Sequence, residues 1–256
     1  MLIDTHAHLQ DESLLPEVEA VIQRALDAGV ETIVCPGYDL ESSRQAVNLA
    51  QLYPGVYATV GIHPHDADTL DETAMTELYR LAGERKVVAV GEIGLDYYRD
   101  LTPRDLQKKA FIAQINLARE INKPIVIHDR DAHQDVMDIV KKEKAGRNQG
   151  IMHCYSGSLP LAIDYMKQGF YISFAGPLTY KNNRKTAEVA ATIPLDRVLV
   201  ETDCPYLTPE PLRGKRNEPS YVVHTATFLA QLRKKSLEEI AYLTTRNARA
   251  VYRIKR

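Results

Sequence analysis

Five short apolar runs in this chain each stop at a residue able to bind a metal ion. Met1-Leu-Ile-Asp-Thr-His-Ala-His closes on His6 and His8, and Val87-Val-Ala-Val-Gly-Glu on Glu92. Ile125-Val-Ile-His closes on His128, Gly150-Ile-Met-His on His153, and Val198-Leu-Val-Glu-Thr-Asp on Asp203. Imidazoles and carboxylates in this mixture suit one or two borderline divalent ions. Residues i and i+2 of an extended segment point to the same side, so both imidazoles of His6-x-His8 can grip one ion. Glu92 stands between glycines after a Val-rich run, where a lone buried carboxylate costs several kcal/mol unless metal or hydrogen bonds compensate. Its two oxygens make it the candidate bridge between two ions; a capping or salt-bridged glutamate is the competing reading. His128 and His153 are natural ligands for a second ion. Asp203 can hold the first ion and also orient or deprotonate a water, and Glu201, two residues earlier, can act as proton carrier or as an anchor beside it. Asp4 stands too far back along its strand to be assumed a ligand, and an orienting or structural role is an equal reading. A divalent ion lowers the pKa of bound water from about 15.7 towards ~7, and two ions can hold a phosphate between them. The chemistry expected is hydrolysis, with the bond left open between P–O, C–N and C–O.

Placing such distant residues together requires the right elements. A Val/Ile run ending at a ligand reads as a buried parallel strand delivering a side chain at its carboxyl end. In a β/α barrel those ends share one face. Strand-like runs alternate with helix-like segments throughout. A helix is expected over Leu14–Ala28, with Gly29 just past its end, then a strand at Thr32–Cys35 and a helix from Glu41 to Tyr53. A third strand spans Val56–Ile62 and a fourth ends at Glu92; Thr102 and Pro103 then open a helix that turns Phe111, Ile112, Ile115, Leu117 and Ala118 inwards. Pro124–His128, Gly150–His153, Phe170–Ser173 and Val198–Val200 supply the remaining strands, and helices over Tyr221–Arg233 and Leu237–Thr245 close the chain. Eight βα units favour one domain over residues 1–256, a TIM-type (β/α)8 barrel with closing C-terminal helices. The proline-rich stretch Pro205–Pro219 reads as an ordered, functional loop after the eighth strand.

Other residues extend the site. His63 and His65, in Gly-Ile-His-Pro-His, end the third strand and are either substrate contacts or structural. Arg213, Lys215, Arg216 and Asn217 offer three cations and an amide as a phosphate clamp, against the plainer reading of a solvated loop. Tyr97-Tyr98-Arg99 can stack on a base or pack as aromatic core. Cys154 and Cys204 follow ligands directly, so alternation turns them away as small buried hydrophobes.

With 256 residues the chain is close to the roughly 250 of a single barrel. Its 32 basic and 34 acidic residues give a net charge of −2, which argues against tight, salt-sensitive coating of duplex DNA. Three widely spaced cysteines form no disulfide framework and no CxxC knuckle, which points to a reducing, cytoplasmic setting. No secretory leader or membrane span is expected. Walker, GxGxxG and GxSxG motifs do not occur, so phosphotransfer from nucleotides and serine hydrolysis lack support.

The ordered set Asp4-Thr-His-Ala-His, Gly61-Ile-His-Pro, Gly91-Glu-Ile-Gly-Leu-Asp-Tyr, Pro124-Ile-Val-Ile-His, His153-Cys-Tyr-Ser-Gly, Glu201-Thr-Asp-Cys-Pro and Arg216-Asn-Glu-Pro resembles the TatD family of metal-dependent deoxyribonucleases. The resemblance runs through Thr244-Thr-Arg-Asn-Ala, effectively the whole chain. It implies a barrel of the amidohydrolase superfamily with two divalent ions. His6, His8, Glu92 and Asp203 would hold one ion, and Glu92, His128 and His153 the other. Mg²⁺ or Mn²⁺ would support activity, and Zn²⁺ or Ni²⁺ would also suit the imidazoles. The implied reaction is 3′→5′ exonuclease action on single-stranded DNA and RNA, with nucleic acid as a transient partner and no obligate protein partner. The runner-up is an amidohydrolase-type enzyme cutting a C–N or ester bond, such as an aminoacyl ester on tRNA. A non-catalytic metal-binding adaptor comes third and would bind without turnover.

Overall fold

The structure is a computed structural model and describes residues 1–255. Its strands are β1 (Leu2–Asp4), β2 (Val30–Pro36), β3 (Val56–Val60), β4 (Val87–Asp96), β5 (Ile125–Arg130), β6 (Gly150–Met152), β7 (Phe170–Phe174) and β8 (Val198–Val200). They hydrogen-bond in chain order from β1 to β8. The helices are α1 (Val18–Asp27), α2 (Leu40–Leu52), α3 (Glu72–Ala82), α4 (Arg104–Glu120), α5 (His133–Lys142), α6 (Leu159–Lys167), α7 (Arg184–Thr192), α8 (Val222–Arg233) and α9 (Leu237–Tyr252). Parallel pairing with a helix after each strand is the TIM-type (β/α)8 fold expected from the alternation. Among the described residues no helix is long and apolar enough to cross a membrane.

The described chain divides into two compact units. The first comprises Met1–Cys35, Cys154–Asp164 and the chain from Ile172 onward; the second comprises Pro36–His153 and Tyr165–Tyr171. In the first, Ile3, Val34, Ile172, Leu199 and Val200 are buried along the strands. In the second, every residue of β4 is buried, as are Ile125, Val126 and Ile127 of β5. Burial of consecutive residues is the signature of a parallel strand covered on both faces, and each fully buried aliphatic side chain contributes roughly 1.5–3 kcal/mol.

Several expectations are corrected. The first helix does not begin at Leu14: Leu15–Glu17 form a 3-10 turn, Glu17 leaves helical geometry at φ −126 and ψ 25, and α1 starts at Val18. Its inner face is Val21 and Ala25, while Leu26 is exposed. The fourth strand does not end at Glu92 but continues to Asp96, pairing Gly94 with His128 and Asp96 with Arg130. Gly94 makes this possible: at φ +146 a Cβ would lie 2.0 Å from the His128 carbonyl oxygen, so only glycine lets the two strands stay paired. Thr102 does not cap α4; its hydroxyl donates to the His65 carbonyl at 2.6 Å, and the helix starts at Arg104 without a side-chain cap. Ile112 is only partly buried. The last helix runs to Tyr252, well past Thr245.

At the amino ends of β4 and β5, two lysines tie down preceding helices. Lys86 Nζ donates to the carbonyls of Ala50, Tyr53, Pro54 and Val56 at 2.7, 2.8, 2.9 and 3.1 Å. Lys123 Nζ donates to Ala82 and Val87. Both ammonium groups satisfy carbonyls left over where α2 and α3 end, and lie at the negative poles of those helix dipoles.

Candidate metal centres

In the first unit, β1 ends at Asp4, so His6 and His8 sit beyond the strand rather than on it. The segment stays extended because Ala7 bridges to Cys204: Ala7 N donates to the Val34 carbonyl at 3.0 Å and His8 N to the Cys204 carbonyl at 2.9 Å. Asp4 fastens both ligand-bearing segments. One carboxylate oxygen accepts from Thr202 N (2.9 Å) and His6 N (3.3 Å), the other from the Thr202 hydroxyl (2.6 Å). Burial pushes the Asp4 carboxyl up to about 8, against the lowering effect of these bonds. Asp4 thus ties the segment of His6 to that of Asp203 through Thr202.

The result is a tight cluster. His6 Nε2 and His8 Nε2 are 3.3 Å apart, and lie 3.6 and 3.3 Å from Asp203 Oδ1. These separations match ligand atoms around one ion, since bonds of about 2.0–2.2 Å place neighbouring donors roughly 3–3.5 Å apart. The donor set therefore fits a divalent ion. Asp203 adopts φ +57, a left-handed conformation that aspartate tolerates better than most residues. Glu201 is fully buried. One of its oxygens accepts from Cys154 N at 2.6 Å and the other from the Ser173 hydroxyl at 2.5 Å, so it is held from two sides.

In the second unit, three imidazoles converge on one carboxylate oxygen. His128 Nδ1, His153 Nε2 and His63 Nε2 lie 2.9, 3.1 and 3.5 Å from Glu92 Oε1. His63, expected as a substrate contact or a structural residue, is thus part of a ligand-competent group with Glu92 and His128. His65 stands one step back, with Nε2 2.9 Å from Asp96 Oδ2, the same oxygen that lies 3.1 Å from His128 Nε2. Asp96 went unrecognised in the sequence. The signal was there: along an extended β4, residues 92, 94 and 96 share a side, so a strand continued past Glu92 carries both carboxylates to one place.

The electrostatics of this cluster follow from burial and crowding. Burial opposes charge on His128, but hydrogen bonds to Asp96 and Glu92 win and raise it to about 9. His63 is held well below its usual value by burial and by the neighbouring His128; its Nδ1 accepts from His65 N at 3.2 Å, which leaves Nε2 facing Glu92. Burial works against ionised Glu92, yet the surrounding His153, His63 and His128 hold it well below the usual carboxylate range. Asp96 is likewise lowered against burial by its bonds to His128 and His65. Imidazoles already clustered around an ionised carboxylate form a donor set that fits a divalent ion.

The expected phosphate clamp is largely committed elsewhere. Asn217 is buried, its amide donating to the carbonyls of Thr202 and Tyr206 at 3.0 and 2.6 Å, because the loop after β8 needs its backbone groups satisfied. Arg216 pairs with Glu17 at 2.6 Å and donates to the Ser13 carbonyl. Arg213 is exposed and stacks 4.3 Å from the centre of the Tyr180 ring, and Lys215 is exposed. Of the cysteines, Cys35 and Cys204 are buried and Cys154 partly so, and none forms a disulfide.

A β/α barrel presenting imidazoles and carboxylates in ion-holding groups belongs to the class of metal-dependent hydrolases. Residues 3–253 match the family described as TatD related DNase, and the chain belongs to the TatD family. It is 49% identical over 254 residues to an uncharacterised metal-dependent hydrolase, YabD, of Bacillus subtilis (strain 168), covering 99% of this chain and 100% of that one. It is 31% identical to the 3'-5' ssDNA/RNA exonuclease TatD of Escherichia fergusonii, covering 99% of each. The crystal structure of YJJV, a TatD homologue from Escherichia coli, superposes with a TM-score of 0.94 at 31% identity, covering 99% of this chain and 98% of that one.

Proposed function

We propose that this metal-dependent hydrolase cuts phosphodiester bonds, trimming single-stranded DNA, and RNA as a second substrate, from the 3′ end in the cytosol. The observation that carries the reading is the convergence of His63, His128 and His153 on Glu92, in a chain similar along its whole length to a named single-strand exonuclease. A second donor group of His6, His8 and Asp203 accompanies it, and the reading assigns one divalent ion to each. Mg²⁺ or Mn²⁺ serves the reaction, and Zn²⁺ or Ni²⁺ also suits these donors. Such ions supply an acidified water and positive charge for phosphate oxygens.

The chain's own residues do the rest. Asp203, the most exposed carboxylate of its cluster, accepts the proton of the attacking water. Glu201 acts as a buried anchor between Cys154 and Ser173 rather than a carrier, since both its oxygens already accept hydrogen bonds. Glu92 and His128 keep their geometry through Asp96. Arg213 and Lys215, both exposed on the loop after β8 and, among the described residues, in no ion pair, steady a neighbouring phosphate.

The test is metal-titrated digestion of end-labelled single-stranded DNA beside a Glu92→Ala control. The expected result is a ladder shortening from the 3′ end with Mg²⁺ or Mn²⁺ and absent in the control. A fully metallated protein that leaves oligonucleotides intact but hydrolyses esters or amides would overturn this reading in favour of an amidohydrolase activity.

A further inference from the structure

We propose that Tyr98 and Arg130 form a stacking platform for an unpaired base of the substrate, beside the Glu92 cluster. This inference rests on the nuclease reading above and adds the element that selects single strands.

The placement follows from strands that overrun their ligands. β5 continues from His128 to Arg130, and residues two apart on a strand face the same side, so Arg130 projects on the side of the His128 imidazole. β4 continues to Asp96, opposite Arg130, and Tyr97 N donates to the Arg130 carbonyl at 2.8 Å. Asp96 then couples cluster to platform. Its Oδ2 meets His65 and His128, while its Oδ1 accepts from Tyr98 N at 3.0 Å and Arg99 N at 2.8 Å, fixing the turn that carries Tyr98.

The two adjacent tyrosines are not alike. Tyr97 is partly buried, donates its hydroxyl to Asp135 at 2.6 Å and is covered by Arg104 at 4.1 Å from its ring centre. It is a packed residue. Tyr98 is 63% exposed, and its ring has the exposed Arg130 guanidinium 4.7 Å from its centre. Leu101, 66% exposed on the same loop, widens the apolar surface. The nearby cations also divide. Arg104 pairs with Asp100 and Lys108 with Asp135, whereas among the described residues neither Arg99 nor Arg130 is in an ion pair. Those two guanidinium groups remain available for phosphate.

A net charge of −2 gives no general attraction for nucleic acid, so affinity must come from local stacking and a few cations. An aromatic ring flanked by unpaired arginines is the arrangement that binds a splayed base and its phosphate. Bases in a duplex have both faces occupied by their neighbours, so such a platform discriminates for single strands without reading sequence.

The test uses the full-length, Mn²⁺-loaded protein and fluorescence anisotropy with a phosphorothioate-capped oligothymidylate and an abasic strand of equal length. Tyr98→Ala is expected to weaken oligothymidylate binding about five-fold or more, the lower end of what one stacked base supplies, with Tyr98→Phe close to wild type. Both wild type and Tyr98→Ala should bind the abasic strand equally weakly. Arg130→Gln should weaken binding to both strands and flatten the salt dependence, as loss of a phosphate contact requires. Equal binding of oligothymidylate by wild type and Tyr98→Ala, or equal losses on the two strands, would remove the platform and leave the nuclease reading standing. A wild-type protein that neither binds nor cuts any oligonucleotide would remove the nuclease reading, and the platform with it.

Discussion

The two ends of β4 and β5 handle charge in opposite ways. At the amino ends, the Lys86 and Lys123 ammonium groups donate to backbone carbonyls, and Lys86 also lies 5.4 Å from the centre of the Tyr57 ring. At the carboxyl ends, Glu92, Asp96, His63, His65, His128 and His153 answer one another, side chain to side chain. The first arrangement offers cations to carbonyls and presents no lone pair to an ion. The second gathers lone pairs that an ion can take over, and its charges are mutually dependent. On the function proposed above, stability concentrates at one end and chemistry at the other, as barrels divide them.

Substitutions at the two ends should therefore separate activity from stability. Glu92→Ala, at the convergence of three imidazoles, is expected to lower metal-dependent hydrolysis by more than about 10²-fold, beyond the range that loss of an orienting partner reaches. Circular dichroism should show an intact fold; an unfolded variant would mean that this cluster is structural after all. Asp96→Asn removes the shared acceptor of His65 and His128, and should weaken metal binding at that cluster by roughly 10–100-fold in a calorimetric titration. An unchanged affinity would show that β4 past Glu92 plays no part.

Lys86→Met is the mirror experiment. It should destabilise the protein by about 1–3 kcal/mol in denaturant unfolding, because carbonyls at the end of α2 lose a charged donor, while metal affinity stays at the wild-type value. Reduced metal affinity in a stably folded Lys86→Met protein would erase the division between the two ends. The smallest effect belongs to Glu77, where hydrogen bonds from Arg80 and Arg44 lower the carboxyl to about 2. A depressed carboxyl stabilises above its usual pKa near 4.5, and that contribution disappears as pH falls from there towards 2. Melting temperatures of wild type and Glu77→Gln should therefore differ slightly at pH 7 and coincide near pH 2, with no change in metal binding at neutral pH.

Much of this division was legible beforehand, because it rests on short-range pattern. Apolar runs ending at His128, His153 and Glu92 mark buried parallel strands, and period-two geometry brings His6 and His8 to one side even beyond the end of β1. What was misread depended on partners distant in sequence. The apolar alternation of β4 stops being informative at Gly91 and Gly94, yet pairing with β5 carries the strand on to Asp96. Thr102 looks like a helix cap until the His65 carbonyl takes its hydroxyl. Asn217 looks like a phosphate ligand until the Thr202 and Tyr206 carbonyls take its amide.

Residue type and periodicity alone thus determined which side chains could hold ions, the barrel class and the strand ends near which those side chains gather. Burial and side-chain period leave their imprint on every few residues of a chain. Only the tertiary structure decided that His63 joins a ligand-competent group, that Asp96 ties His65 to His128, and which of two adjacent tyrosines is packed and which is presented. Those outcomes depend on which donor reaches which acceptor across separate elements, and hydrogen-bond satisfaction leaves no periodic trace in a sequence.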